Sequence, residues 1–176
     1  LDFRPTTLPS PTLSFYAPPE TGKTPAILGF HRGARAFVDE LEQSRPELVG
    51  QILVVDFNTE VLEEARGRGM QAAFGDISHL DTLEHLHVGR AKVILCTIPD
   101  MLLKGTRNLD LVRACRSLAP RARIIATADD ARHEKLLIGE GADQAVVPYR
   151  LMGTQLAELV GRSMDAAPVE LHAVEA

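Results

Sequence analysis

Apolar residues fall along the chain in short runs separated by segments with a helical period. The runs are Ala26–Phe30, Gln51–Asp56, Met70–Phe74, Lys92–Cys96, Arg123–Thr127 and Gln144–Val147. Several are rich in Val and Ile and lack strict alternation, the pattern of strands buried on both faces of a parallel sheet. Between them, Ala34, Phe37, Val38 and Leu41 repeat at i, i+3, i+4 and i+7, and Pro46 stops that helix. Thr59 is expected to cap a helix through Gly67, and Asp81 one through Val88 that Gly89 ends. Leu111, Val112, Cys115 and Leu118 share a face ahead of Pro120; Asp129-Asp130 caps a helix through Glu140 that stops at Gly141; a last helix covers Leu151–Arg162. Strands alternating with crossover helices predict an α/β fold: one domain built on a doubly wound, parallel, six-stranded sheet.

The two ends read differently. Residues 1–25 hold six of the eleven prolines and predict an extended arm or linker. Residues 165–176 lack a period and read as a flexible tail, leaving 26–164 as the folded unit. The chain begins at Leu1 and reads as part of something longer. Hydrophobic residues at 45% and charged residues at 24% suit a globular core and exclude a mostly disordered chain. No run approaches the ~18 apolar residues of a membrane span, and no signal peptide is visible. A net charge of −5 argues against a nucleic-acid partner. Cys96 and Cys115 form no metal-type pair and are expected to be buried thiols in a reducing compartment.

The chemistry is expected at the strand ends. The first strand runs into Gly29-Phe30-His31-Arg32-Gly33-Ala34, where a helix opens. Backbone N–H groups and the helix dipole favour a phosphate at such a turn, and the arrangement is Rossmann-like. Ala34 suits the third glycine position of the usual pattern, which needs only close helix–strand packing. His31 stands where a second glycine normally lets pyrophosphate approach, so a mononucleotide fits better than a dinucleotide. Asp56 ends the second strand, where a carboxylate can hold ribose hydroxyls, or else merely start a turn into Asn58 and Thr59. Gly75-Asp76 follows the third strand, where an adenine edge would lie, and Thr97-Ile98-Pro99 follows the fourth, across the switch point. Gly22-Lys23-Thr24 lacks the earlier glycine of a phosphate loop and precedes a strand instead of following one. His85 and His87 point to different faces of a helix, so no metal site is expected. No nucleophile elbow, acid–base pair or substrate domain is visible, and no catalytic residue is assigned.

From Ala26 to about Val160 the sequence resembles an RCK N-terminal (TrkA-N) domain. The resemblance rests on Gly29-Phe30-x-Arg32, Val55-Asp56-x-Asn58, Phe74-Gly75-Asp76, Ala91-Lys92-Val93-Ile94, Asn108-Leu109, Ile124-Ile125-Ala126 and Gly141-Ala142-Asp143-x-x-x-Val147-Pro148. The Gly-Phe-His-Arg variant is similar to the cytosolic C-terminal domains of Kef-type monovalent cation/proton antiporters. The resemblance implies a regulatory domain and not an enzyme: a homodimer on the cytoplasmic face of a membrane, controlling an attached potassium or cation transporter through a bound adenine nucleotide. The proline-rich arm would be the linker from the membrane part. AMP or ADP is expected ahead of NAD(H). Carried over by position, Gly29, Phe30, His31, Arg32, Gly33 and Ala34 would hold phosphate; Asp56 and Asn58 the ribose end; Gly75, Asp76 and Ile77 the adenine; Thr97, Ile98 and Pro99 the opposite wall. Asn108 would fall at an inter-subunit cleft, and Leu151, Leu156, Leu159 and Val160 would supply an apolar dimer stripe. The alternatives are a small NAD-dependent oxidoreductase using His31 or His133, and a dimerisation module without ligand.

Overall fold

The computed structural model describes residues 24–165. Six strands, β1 (Pro25–Leu28), β2 (Leu53–Asp56), β3 (Gln71–Phe74), β4 (Val93–Cys96), β5 (Arg123–Thr127) and β6 (Gln144–Val146), form one sheet in the order β3-β2-β1-β4-β5-β6. Every pairing is parallel, from Ala26 beside Leu53 to Ala126 beside Ala145. The helices are α1 (Arg32–Ser44), α2 (Thr59–Gly67), α3 (Leu80–His85), α4 (Asn108–Leu118), α5 (Ala131–Gly139) and α6 (Pro148–Asp165). The order reverses between β1 and β4, so the doubly wound expectation holds, and the crevice of such a sheet lies there. The proline-rich arm up to residue 23 and the tail from 166 lie outside the described residues.

Two apolar layers hold the sheet. Leu28, Val55, Leu83, Ile94, Val112 and Leu137 fill one side; Ile27, Phe30, Val38, Val54 and Leu62 fill the other. Each fully buried large side chain contributes roughly 1.5–3 kcal/mol of transfer free energy. Cys96 and Cys115 are both buried free thiols; the neighbouring Cys115 thiol and burial push Cys96 well above its ordinary range, so it is an inert core group.

The differences from expectation lie at element ends. Asn58, not Thr59, caps α2: its side-chain oxygen accepts from the Glu60 N–H at 3.0 Å. Asp81 sits inside the first turn of α3 behind His79, and that helix closes before a left-handed His87 (φ 55°). Asp130 alone caps α5, through the His133 N–H at 2.7 Å. The last helix starts three residues early, at Pro148, whose missing N–H costs nothing there.

Candidate functional site

The carboxyl ends of β1, β2, β3 and β4 converge on a crevice. Gly29 leaves β1 with φ +80°, a left-handed turn that glycine takes without strain. Its N–H donates to the Val55 carbonyl at 2.8 Å. The next N–H, of buried Phe30, donates to Asp56 Oδ2 at 2.8 Å, and the Asn58 N–H donates to Asp56 Oδ1 at 2.9 Å. Asp56 is only 8% exposed and thus locks the β1–α1 turn to the β2–α2 turn. Both of its oxygens keep further lone pairs for other donors.

The start of α1 is the chemically open feature. Arg35 N–H is the first to bond back, to the His31 carbonyl, so the N–H groups of Arg32, Gly33 and Ala34 precede the helical ladder. His31 is the N-cap but supplies no side-chain bond, and the first turn contains no acid. By contrast Asn58 caps α2, Asp130 caps α5, and Asp100 Oδ1 accepts the Asn108 N–H of α4 at 2.7 Å. Above the α1 terminus lies a cavity of about 440 Å³ whose lining includes His31, Arg32, Gly33, Thr97, Thr127 and Tyr149. Burial, then Arg32 and Arg35, hold the His31 imidazole below its ordinary pKa, so the ring is neutral at neutral pH. A Cβ at Gly33 would stand 3.4 Å from the Thr97 carbonyl oxygen, an ordinary van der Waals contact that leaves α1 close to the end of β4. Ala34 is fully buried, as close packing requires.

The other half is tighter. Gly29, Asp56, Phe57, Asp76, Ile77, Ile98, Leu102, Leu103 and Lys104 enclose only about 40 Å³, room for roughly one water. Ile98 rests on Gly29, Leu102 lines both cavities, and Asn108, fully buried, donates to the Ile98 carbonyl at 2.7 Å. Asn108 is therefore an internal brace of the β4–α4 loop. Asp76 is half exposed and accepts from the Ser78 N–H (2.9 Å) and hydroxyl (2.7 Å), which hold its carboxyl below the usual range. Gly75 is buried, with a Cβ position 2.6 Å from Thr82 Cγ2. Of the sequence-assigned residues, Gly29, Asp56, Asp76, Ile77 and Ile98 line the narrow half, and His31, Arg32, Gly33, Thr97 and Pro99 the wide half. The Phe30 side chain is core, under the Arg35 guanidinium 5.3 Å from its ring centroid, and Asn58 is a cap.

Sequence reading missed Phe57 (61% exposed), Leu102, Lys104 and Tyr149, which line the two cavities. Phe57 adjoins Asp56 and carried a signal as an aromatic beside a strand-end acid. It also missed the corner formed by Asp100, Asp129 and His133, whose ligand atoms lie within 4.8 Å of one another. His133 Nδ1 accepts from the Asp129 N–H at 3.2 Å, and its buried Nε2, 3.8 Å from Asp100 Oδ2, has no hydrogen-bond partner. Asp129 and His133 stand one helical turn apart, and only the adjacency of β4 and β5 brings Asp100 to them.

A reversal-point crevice above an uncapped, acid-free helix start, with a strand-end carboxylate beside it, defines the nucleotide-binding class of doubly wound domains. The TrkA-N domain family model matches residues 26–148, and the chain belongs to that family. Among curated relatives, the glutathione-regulated potassium-efflux system protein KefC of Cronobacter sakazakii is 29% identical over 114 residues, covering 54% of this chain and 18% of KefC. Potassium channel protein 1 of Methanocaldococcus jannaschii is 24% identical over 135 residues, covering 76% of this chain and 38% of the channel. The chain thus spans well under half the length of either. Among solved structures, the GsuK channel bound to NAD superposes with a TM-score of 0.65 at 25% identity, over 80% of this chain and 24% of that one. The Shewanella denitrificans Kef C-terminal domain in its AMP-bound form gives 0.56 at 18% identity, over 79% of this chain and 82% of that one, a likeness of fold. Among the described residues no helix is long and apolar enough to cross a membrane.

Proposed function

We propose that residues 26–164 form the nucleotide-sensing regulatory domain of a potassium or other monovalent cation transporter, a cation/proton antiporter of the Kef type. An adenine nucleotide is its ligand, and the domain binds it without transforming it. The observation that carries this reading is the start of α1. Its free N–H groups and the exposed Arg32 face a cavity of about 440 Å³ with no carboxylate of the helix's own first turn to answer them. A phosphate group supplies that missing charge. Asp56 then accepts from ribose hydroxyls, and Phe57, Asp76 and Ile77 meet the base. AMP or ADP is favoured over NAD(H), because His31 narrows the turn over which the bridging pyrophosphate of a dinucleotide would lie, and a mononucleotide tolerates a tighter turn. The relatives named above, a potassium-efflux protein, a potassium channel and the GsuK channel, support the transporter setting.

Ile98, Leu102 and Leu103 line the narrow half, whose volume of about 40 Å³ is too small for an adenosine. The ligand must move that loop, and its apparent affinity is reduced by the fraction of closed protein. This displacement gives the domain two states between which a ligand can discriminate.

Calorimetry with AMP and ADP tests the proposal, and His31 sets the pH dependence. Its pKa is depressed in the free protein, by burial first and then by Arg32 and Arg35. A bound phosphate favours the imidazolium, so binding takes up a proton, and affinity rises as pH falls towards the lowered His31 pKa for as long as the phosphate keeps its charge. His31→Gln is expected to flatten that slope. No heat from a folded chain with AMP, ADP, ATP or NAD(H) would sink the proposal.

For assembly we infer a homodimer. All of α6 is solvent-facing, with Leu151, Leu156, Leu159 and Val160 each 47–62% exposed. Burying such a stripe against a second copy removes apolar surface from water. Light scattering is expected to give twice the 19.2 kDa chain mass, and a Leu156→Glu/Leu159→Glu variant a monomer.

A further inference from the structure

We infer that the amino edge of the sheet, opposite the crevice, is a docking surface for an anionic lipid bilayer. The loops that precede β4 and β5 enclose an open cavity of about 400 Å³ whose lining includes Arg90, Lys92 and Arg121. Arg123 opens β5 beside them, its N–H donating to the Lys92 carbonyl at 2.9 Å. All four side chains are exposed, and among the described residues none has a carboxylate within 4.0 Å. The chain carries 24 acids against 19 Lys and Arg, and Arg35, Arg45, Arg68, Arg107, Arg113, Arg116 and Arg150 all pair with acids. Among the described residues none of these four cations is in an ion pair; Asp143, whose carboxyl the Ile124 N–H, Arg116 and Arg123 hold low, is the acid beside them, and the cluster as a whole favours an external anion.

Three features select the bilayer over a small anion. The cations spread along two adjacent strand ends and do not converge on a point. None of the buried side-chain polar atoms lacking a partner lies in this cavity, so no pocket is shaped for a discrete ligand. And the chain enters the domain here: the Lys92 N–H donates to the Thr24 carbonyl at 3.2 Å, placing the residue before β1 on this edge. The inference rests on the proposed transporter setting for its orientation. With the preceding segment directed to the membrane, the basic edge meets the headgroups. The crevice then faces water from the far end of four-residue strands, ~13 Å away. Each basic residue at an anionic leaflet strengthens association roughly fivefold.

The test is co-sedimentation of the 176-residue chain with vesicles of phosphatidylglycerol in phosphatidylcholine, and with phosphatidylcholine alone. Binding is expected to the first only, weakening with salt. Arg90→Glu/Arg121→Glu should reduce it more than roughly tenfold, since two of four contributing cations become repulsive. The control Arg132→Glu/Lys135→Glu, the same charge change on α5, should stay within about twofold of the parent. Nucleotide heats should be unchanged in both variants, which also reports that they fold. Equal losses in the two variants, no loss in the first, or no vesicle binding while inorganic phosphate or an acidic peptide binds the edge would each overturn the inference. Vesicle binding without nucleotide heat would count against the proposed function and leave the docking surface standing.

Discussion

Asp56→Ala is expected to lower the affinity for AMP roughly ten- to a hundredfold, the range of one or two hydrogen bonds to a charged acceptor at about 1.5–3 kcal/mol in all. The same substitution strips the acceptor from the buried Phe30 N–H and from the Asn58 N–H, so the fold loses about 1–3 kcal/mol as well. The two effects are separable. Asp56→Asn keeps one acceptor oxygen for the turn but places an NH2 where the second must accept, so it should recover part of the stability and little of the affinity. Calorimetry at a temperature where circular dichroism shows each variant folded makes the comparison. An Asp56→Ala protein that is destabilised but binds AMP like the parent would reduce Asp56 to a brace between two turns.

Gly29→Ala should be the most damaging single methyl addition at the site. The residue sits at φ +80°, which costs an L side chain about 1–2 kcal/mol, and its Cβ would lie 1.9 Å from Ile98 Cδ1. Relief requires Ile98 to leave, opening the loop that Asn108 holds at the Ile98 carbonyl. A total loss of roughly 2–4 kcal/mol follows from strain plus overpacking. Ile98→Ala in the same chain removes the steric part and leaves the backbone part, so the two substitutions should couple by about 1 kcal/mol or more in thermal melts. Simple additivity would mean that Ile98 does not rest on Gly29 in solution.

The centre of the sheet was legible because β1, β2 and β4 carry runs of Val, Ile, Leu and Ala buried on both faces, as a central parallel strand demands, whereas the edge strands β3 and β6 are only partly buried. Boundaries moved where a neighbour competes for the same role, as Asn58 does with Thr59: both types can cap, and only backbone geometry selects one. Half of the candidate site was legible too, since Gly29, Gly75 and Thr97 each follow a strand, Asp56 ends one, and the topology gathers strand ends. What the sequence does not carry is side-chain direction across the crevice. Nothing in Thr97-Ile98-Pro99 says that Ile98 turns onto Gly29 and narrows that half of the crevice, or that Asn108 reaches ten residues back to hold it. Nor does local sequence say that Arg90, Lys92, Arg121 and Arg123 share one edge, because their meeting follows from the pairing of β4 with β5. The Phe30 ring shows the converse: its place in the motif marks a backbone role, and its side chain belongs to the core.

The central claim is that the amino end of α1 holds the phosphate of an adenine nucleotide. Its most direct test is an amide NMR titration of the chain with AMP, with adenosine as the phosphate-free comparison. AMP should shift the Arg32, Gly33 and Ala34 amides together with those of the Ile98–Lys104 loop, and adenosine should leave the helix amides where they were. Saturating AMP that leaves Arg32, Gly33 and Ala34 unmoved would contradict the account.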